Sequence, residues 1–160
     1  MKILIGADFA GFALKEEVKG YLIESGRDIV DIGMHSLDKT LPYYEVAAKA
    51  ARKIQSGEAD RGILFCGTGM GVSIVANKFK GIYASVVESE FTGERCKIIN
   101  DANVLTMGGW VVSPYRAKKI SDLWLNAAFT RGEKDLEEFS DFLRSALVDI
   151  KKIEDETMKP

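Results

Sequence analysis

Short apolar runs of β type alternate along this chain with longer stretches whose apolar residues fall at helical spacing, and that alternation restricts the fold more than any other feature. Residues 2–7, 28–32, 61–65, 82–87 and 104–107 read as strands. Residues 11–25 carry Phe12, Leu14, Val18, Tyr21 and Leu22 on a helical stripe that stops at Gly26, a residue suited to the left-handed turn that closes a helix. Residues 43–55 place Val46, Ala50 and Ile54 on one stripe, and 71–79 and 90–99 read as shorter helices. Residues 114–128 open with proline in the first turn, ahead of Ala117, Ile120, Leu123 and Trp124. Strand then helix, five times over, predicts an α/β chain: a three-layer α/β/α sandwich, Rossmann-like, with a five-stranded parallel sheet covered on both faces. In such sheets the chemistry gathers at the carboxyl ends of the strands, here Asp8, Gly33, Cys66, Glu88 and Gly108.

The 160 residues fit one compact domain, expected over 1–130, with 131–160 as a helical extension. Residues 133–156 are rich in charge, and Leu136, Phe139, Leu143, Leu147 and Ile150 mark one apolar stripe. Such a helix either packs on its own core or lies across a partner subunit. The net charge of −2 gives no electrostatic reason to expect nucleic acid or an anionic membrane as partner. No apolar run approaches the roughly 18–20 residues of a membrane helix. Residues 1–5 lead directly into a strand with no small-residue cleavage site, so no signal peptide is expected. Cys66 and Cys96 form no CxxC pair, which fits a reducing cytoplasm, and His35 is the only histidine, which excludes a multi-histidine metal site.

The strongest chemical signal is Cys66-Gly67-Thr68-Gly69-Met70-Gly71, directly after the third strand. Its glycines let the backbone curl with N–H groups inward, an anion-holding nest that would stabilise a thiolate at its lip. An arbitrary cysteine at a strand end is more often a small core residue; the adjoining glycines reverse that preference. The loop is neither a Walker loop, since no Gly-Lys-Ser/Thr follows, nor a dinucleotide fingerprint, which belongs after the first strand.

This loop, with Ser73 and Ala76-Asn77-Lys78 behind it, resembles the signature of ribose-5-phosphate isomerase B and the related galactose-6-phosphate isomerases. Three further runs match: residues 6–12, 56–63 and 100–105. The resemblance covers about residues 1–128 and implies an aldose–ketose isomerase of a small sugar phosphate that needs no metal or organic cofactor. It implies Cys66 as the base that moves a proton between C1 and C2, with Thr68, Ser73 and the N–H groups of Gly67, Gly69, Met70 and Gly71 holding the enediolate. Asp8, Phe9 and Tyr43 would line the sugar, and Asn100 would reach in from a second subunit of a homodimer or dimer of dimers. Read without the resemblance, Asp8 could cap the first helix, Tyr43 could start the second and Asn100 could be a turn residue.

Four departures from the family pattern are visible. Phe9 replaces a histidine in the first loop, and Ile99 replaces the histidine that opens the furanose ring. Trp110 replaces an arginine, and Thr130-Arg131-Gly132-Glu133-Lys134 replaces a phosphate-binding Gly-Gly-Arg-His-x-x-Arg run. One subunit type of galactose-6-phosphate isomerase, which works only with a second related subunit, also lacks the ring-opening histidine. The departures predict an altered sugar, with His35 as a replacement acid and Arg131 and Lys134 as a replacement phosphate clamp. Two other readings compete: a non-catalytic or partner-dependent sugar-phosphate-binding subunit, and a flavodoxin-like nucleotide module. The last is disfavoured because Asp8-Phe9-Ala10-Gly11 lacks a hydroxyl-rich phosphate loop.

Overall fold

Three strands are buried along almost their whole length: β1 (Lys2–Ala7), β3 (Arg61–Cys66) and β5 (Val104–Gly108). Two are partly exposed, β2 (Asp28–Asp31) and β4 (Ala84–Val86). This is the burial of an all-parallel sheet, with apolar strands inside and short, more polar strands at the edges. The computed structural model, which describes residues 1–131 and 139–158, orders them β2-β1-β3-β5-β4, every pair parallel. The helices are α1 (Phe12–Glu24), α2 (Tyr43–Gln55), α3 (Met70–Ala76), α4 (Glu90–Asn100), α5 (Pro114–Asn126) and α6 (Ser140–Thr157).

Alternation along each strand builds two cores. Ile3, Ile5, Ile63, Phe65, Leu105 and Met107 pack against Leu14 and Val18 of α1 and Ile120 and Trp124 of α5. Leu4, Leu64 and Val104 face the other way, onto Val46, Ala47 and Ala50 of α2 and Val72 and Ala76 of α3. The expected three-layer sandwich is therefore the observed one.

Several boundaries differ from the sequence reading by one to three residues, and two of the shifts have a visible side-chain cause. α3 ends at Ala76 rather than 79 because the side chain of Asn77 turns onto β4, accepting from the Ala84 N–H and donating to the Ala84 C=O, both at 2.8 Å. β4 starts at Ala84 rather than 82 because Asn103 takes over Tyr83, its Oδ1 accepting the Tyr83 N–H at 2.8 Å and its own N–H donating to the Tyr83 C=O at 3.1 Å. Of the expected C-terminal stripe, Leu136 lies outside the described residues. Leu143 is buried, Leu147 is half-buried, and Phe139 and Ile150 are exposed. α6 is tied to the α3–β4 turn by Glu154, which accepts from the Gly81 N–H at 2.6 Å and the Tyr83 hydroxyl at 3.3 Å, and by a Lys80–Asp155 ion pair. Burial, with Glu154 beside it, pushes the Tyr83 hydroxyl up to about 12. No helix among the described residues is long and apolar enough to cross a membrane.

Candidate active site

The chain leaves β1 outward to β2 and then returns past β1 to β3, so the loops after β1 and β3 diverge and leave a crevice at the carboxyl edge. Three loops meet there, after β1, β3 and β5, and their backbones are in contact. The Asp8 N–H donates to the Phe65 C=O at 3.4 Å, the Gly109 N–H to the Cys66 C=O at 2.8 Å, and the Trp110 N–H to the Gly67 C=O at 3.0 Å. Glycine is required by the closeness of these contacts: a Cβ on Gly109 would lie 2.4 Å from the Ala10 oxygen, and one on Gly11 would lie 2.6 Å from the Phe65 carbonyl carbon. The adjacent pair Gly108-Gly109 is the sequence signal for this close approach.

Within the loop after β3, Cys66 is buried and its Sγ accepts the Gly69 N–H at 3.2 Å. Gly69 has φ of 79°, a conformation that side chains disfavour. The N–H groups of Thr68 and Gly71 have no protein acceptor among the described residues. Thr68 is half-buried, with Oγ1 accepting the Met70 N–H at 3.4 Å, and Met70 is exposed. Two aromatic rings lie against this loop: Trp110 over Gly67, where a Cβ would meet its ring at 2.6 Å, and Tyr43 over Gly71, where a Cβ would meet its ring at 2.8 Å.

The other expected site residues divide into two groups. Asp8 belongs with the Cys66 loop; its carboxylate accepts the Gly11 N–H at 3.0 Å and shapes the first loop, while the α1 N-cap is Gly11 and has no side-chain bond. Phe9 projects from the same loop, 62% exposed. Ser73 is buried and turned away, donating to the Ala84 C=O at 3.3 Å and accepting from Asn77 at 3.3 Å. Asn100 and Ile99 close α4, which runs back to the amino edge of β5, so within one chain they stand at the opposite end of the sheet from Cys66. Arg131 is at that same amino edge, beside Thr130, whose N–H donates to the Ile98 C=O at 2.9 Å. Lys134 lies outside the described residues.

His35 follows β2 and is exposed, its Nδ1 3.6 Å from the Asp31 carboxylate. Asp31 also pairs with Lys15 at 2.7 Å and Lys19 at 2.9 Å, and Lys15, fully buried, donates to the Met34 C=O at 2.5 Å. Burial alone would raise the Asp31 carboxyl, but the bonds from Lys15 and Lys19 outweigh it and hold it below the ordinary carboxylate range. A charged residue this deep on α1 was not read from the sequence; its signal was a lysine adjoining the apolar stripe at Leu14. The cavity lined by Ile32, Leu41, Tyr44, Val46, Lys49 and Arg52, about 530 Å³, lies beside α2 and does not include the Cys66 loop. Cys96, the other free thiol, is buried, which pushes it up to about 11.

The fold is thus a three-layer α/β sandwich with a crevice at the switch point of its sheet, lined by a buried thiol and backbone donors. The family described as Ribose/Galactose Isomerase matches residues 3–140, and the chain belongs to that family. It is 47% identical over 156 residues to 4-deoxy-4-sulfo-D-erythrose isomerase of Clostridium sp. (strain MSTE9), covering 97% of this chain and 96% of that one. It is 43% identical over 132 residues to ribose-5-phosphate isomerase B of Escherichia coli (strain K12), covering 82% and 87%. Among solved structures, ribose-5-phosphate isomerase B of Clostridium thermocellum superposes with a TM-score of 0.87 at 37% identity, covering 98% of this chain and 99% of that one.

Proposed function

We propose that this aldose–ketose isomerase acts on an open-chain four-carbon sugar that ends in a sulfonate, of the 4-deoxy-4-sulfo-D-erythrose type, with Cys66 as the base. The carrying observation is the composition of the three loops at the crevice. Residues 8–11, 66–71 and 108–112 keep the complete Cys66 nest yet contain no lysine, arginine or histidine. A 4-deoxy sugar has no C4 hydroxyl with which to close a furanose, so a site with Ile99 where ring-opening chemistry would need a titratable group is no handicap. The 47% identity to the sulfo-erythrose isomerase, extending over 97% of the chain, supports the same choice.

In this reading the Cys66 thiolate takes the C2 proton of the aldose, and the C–H electrons form the C1–C2 double bond of an enediolate. The N–H groups of Thr68 and Gly71 stabilise its oxygens. The Thr68 hydroxyl passes the hydroxyl proton from O2 to O1, and Cys66 returns its proton to C1, giving the ketose with no net oxidant or reductant. Asn100 and Arg131 come from a second copy, since their own chain holds them at the far edge of the sheet. Both thiols are free, which fits a reducing cytoplasm.

The test is an isomerisation screen of the purified protein over 4-deoxy-4-sulfo-D-erythrose, D-erythrose 4-phosphate and D-ribose 5-phosphate. The sulfo sugar is expected to give the highest kcat/KM, and ribose 5-phosphate turned over equally well would refute the assignment. Mixing Cys66→Ala with Asn100→Ala, each inactive alone, is expected to restore part of the activity through hybrid dimers with one intact site. Lack of any recovery in subunit-exchanged mixtures would refute the shared site.

A further inference from the structure

We propose that Trp110 sets the head-group preference of this site, selecting a singly charged sulfonate over a phosphate monoester; the inference rests on the isomerase reading above. The indole lies against the Cα of Gly67, one residue after the thiol, and a Cβ there would come within 2.6–2.8 Å of three ring carbons. Its own N–H, bonded to the Gly67 C=O at 3.0 Å, fixes the base of the side chain. Trp110 as a residue is nevertheless 76% exposed, and its indole N–H has no protein acceptor among the described residues. Trp110 is thus a flat apolar wall beside the reacting thiol, with one neutral donor to offer. Tyr43 on Gly71 forms a second wall, and Phe9 adds a third apolar surface from the first loop.

The two head groups differ in what such walls exact from them. A phosphate monoester carries about −1.5 to −2 charges at pH 7, and a sulfonate carries one, spread over three oxygens. These loops supply no cation, and a single Arg131 from the second copy balances the one charge of a sulfonate but not the nearly two of a phosphate. The more highly charged group therefore loses more hydration against aromatic surface than it regains. The singly charged group loses less, and a neutral indole N–H suffices for one of its oxygens. An arginine at the same position would invert the balance by giving phosphate a charge-assisted, forked partner.

The experiment compares wild type, Trp110→Arg and Trp110→Phe on 4-deoxy-4-sulfo-D-erythrose and D-erythrose 4-phosphate. Neither sugar has a free C4 hydroxyl, so ring closure is removed and the head group is the variable. Wild type is expected to favour the sulfonate. Trp110→Arg is expected to move the kcat/KM ratio toward phosphate by about tenfold or more, chiefly through KM, and Trp110→Phe to keep the sulfonate preference. In parallel, calorimetric titration with the two alditols made by reducing these sugars reads binding without turnover. If the sulfonate alditol binds preferentially to wild type and the arginine variant reverses this while neither sugar is isomerised, the head-group inference stands and the catalytic reading falls. A folded Trp110→Arg protein whose head-group ratio matches wild type in both measurements overturns the inference, as does wild type binding the phosphate alditol as tightly as the sulfonate.

Discussion

Alanine in place of Gly69 perturbs the Cys66 loop at its most constrained point, and Gly57 supplies an internal control. The two glycines have nearly the same backbone, φ of 79° at Gly69 and 74° at Gly57. At Gly57 a Cβ meets nothing within 4 Å, whereas at Gly69 it would lie 2.9 Å from the Met107 carbonyl carbon and 3.1 Å from the Gly108 nitrogen, both backbone of β5. Gly57→Ala should therefore show only the left-handed penalty, about 1–2 kcal/mol. Gly69→Ala adds overpacking against a buried strand that cannot rotate away, about 1–3 kcal/mol more, for a total of about 2–5 kcal/mol. The same displacement moves the Gly69 N–H away from the Cys66 sulfur, so kcat should fall about a hundredfold, the effect of a misplacement near 1 Å. Urea unfolding of both variants with matched m-values gives the stability difference, and initial rates on the best substrate give kcat. If Gly69→Ala is no more destabilising than Gly57→Ala and keeps its kcat, the loop yields freely and its geometry is not what positions the thiol.

Cys66→Ala is expected to lower kcat by about 10²–10⁴ while the urea midpoint moves little, because the base acts in the transition state and the side chain is small; retention of most of the kcat would remove Cys66 from the mechanism. Asp31, with its carboxyl held below the ordinary range, contributes stability that is present above the unfolded value of 3.8 and is lost as pH falls through the folded value. Asp31→Asn should flatten that acid limb and lower stability at pH 7 by about 3 kcal/mol, the low end for breaking a buried pair, since Lys15 keeps Glu16 at 2.6 Å and the Met34 carbonyl. An unchanged acid limb in denaturation from pH 7 to pH 3 would contradict this.

The parallel sheet was legible because its central strands are continuous apolar runs, and the Cys66 loop because three glycines in five positions leave few alternatives. The ends of α3 and β4 were not, because side chains set them: Asn77 and Asn103 bond to backbone across the α3–β4 turn, and asparagine carries no sequence mark of the partner it will find. The burial of Lys15 was not legible because its partner, Asp31, is on another element. The departures at Phe9 and Trp110 were visible as residues, but their packing was not. That Trp110 would lie on Gly67, 43 positions earlier, follows only once β3 and β5 are neighbours.

The glycines and the aromatics of the crevice answer to different constraints, and this separates what the scaffold holds fixed from what it leaves variable. Gly11, Gly69, Gly108 and Gly109 face backbone atoms within 3.0 Å of where a Cβ would stand, so no side chain there is compatible with the contact among the three loops. The thiol and its donors are therefore fixed by main-chain packing, independent of the substrate's far end. Phe9 and Trp110, by contrast, are largely exposed and support none of the core. Substituting them changes the surface that the substrate's far end meets without disturbing the bond from Gly69 to Cys66. An isomerase built this way can exchange a cationic rim for an aromatic one, and a ring-opening residue for isoleucine, while the proton-transfer step stays intact. Phe9 and Trp110 are two such exchangeable positions, so the changes there are compatible with the proposed change of sugar and do not require the loss of activity.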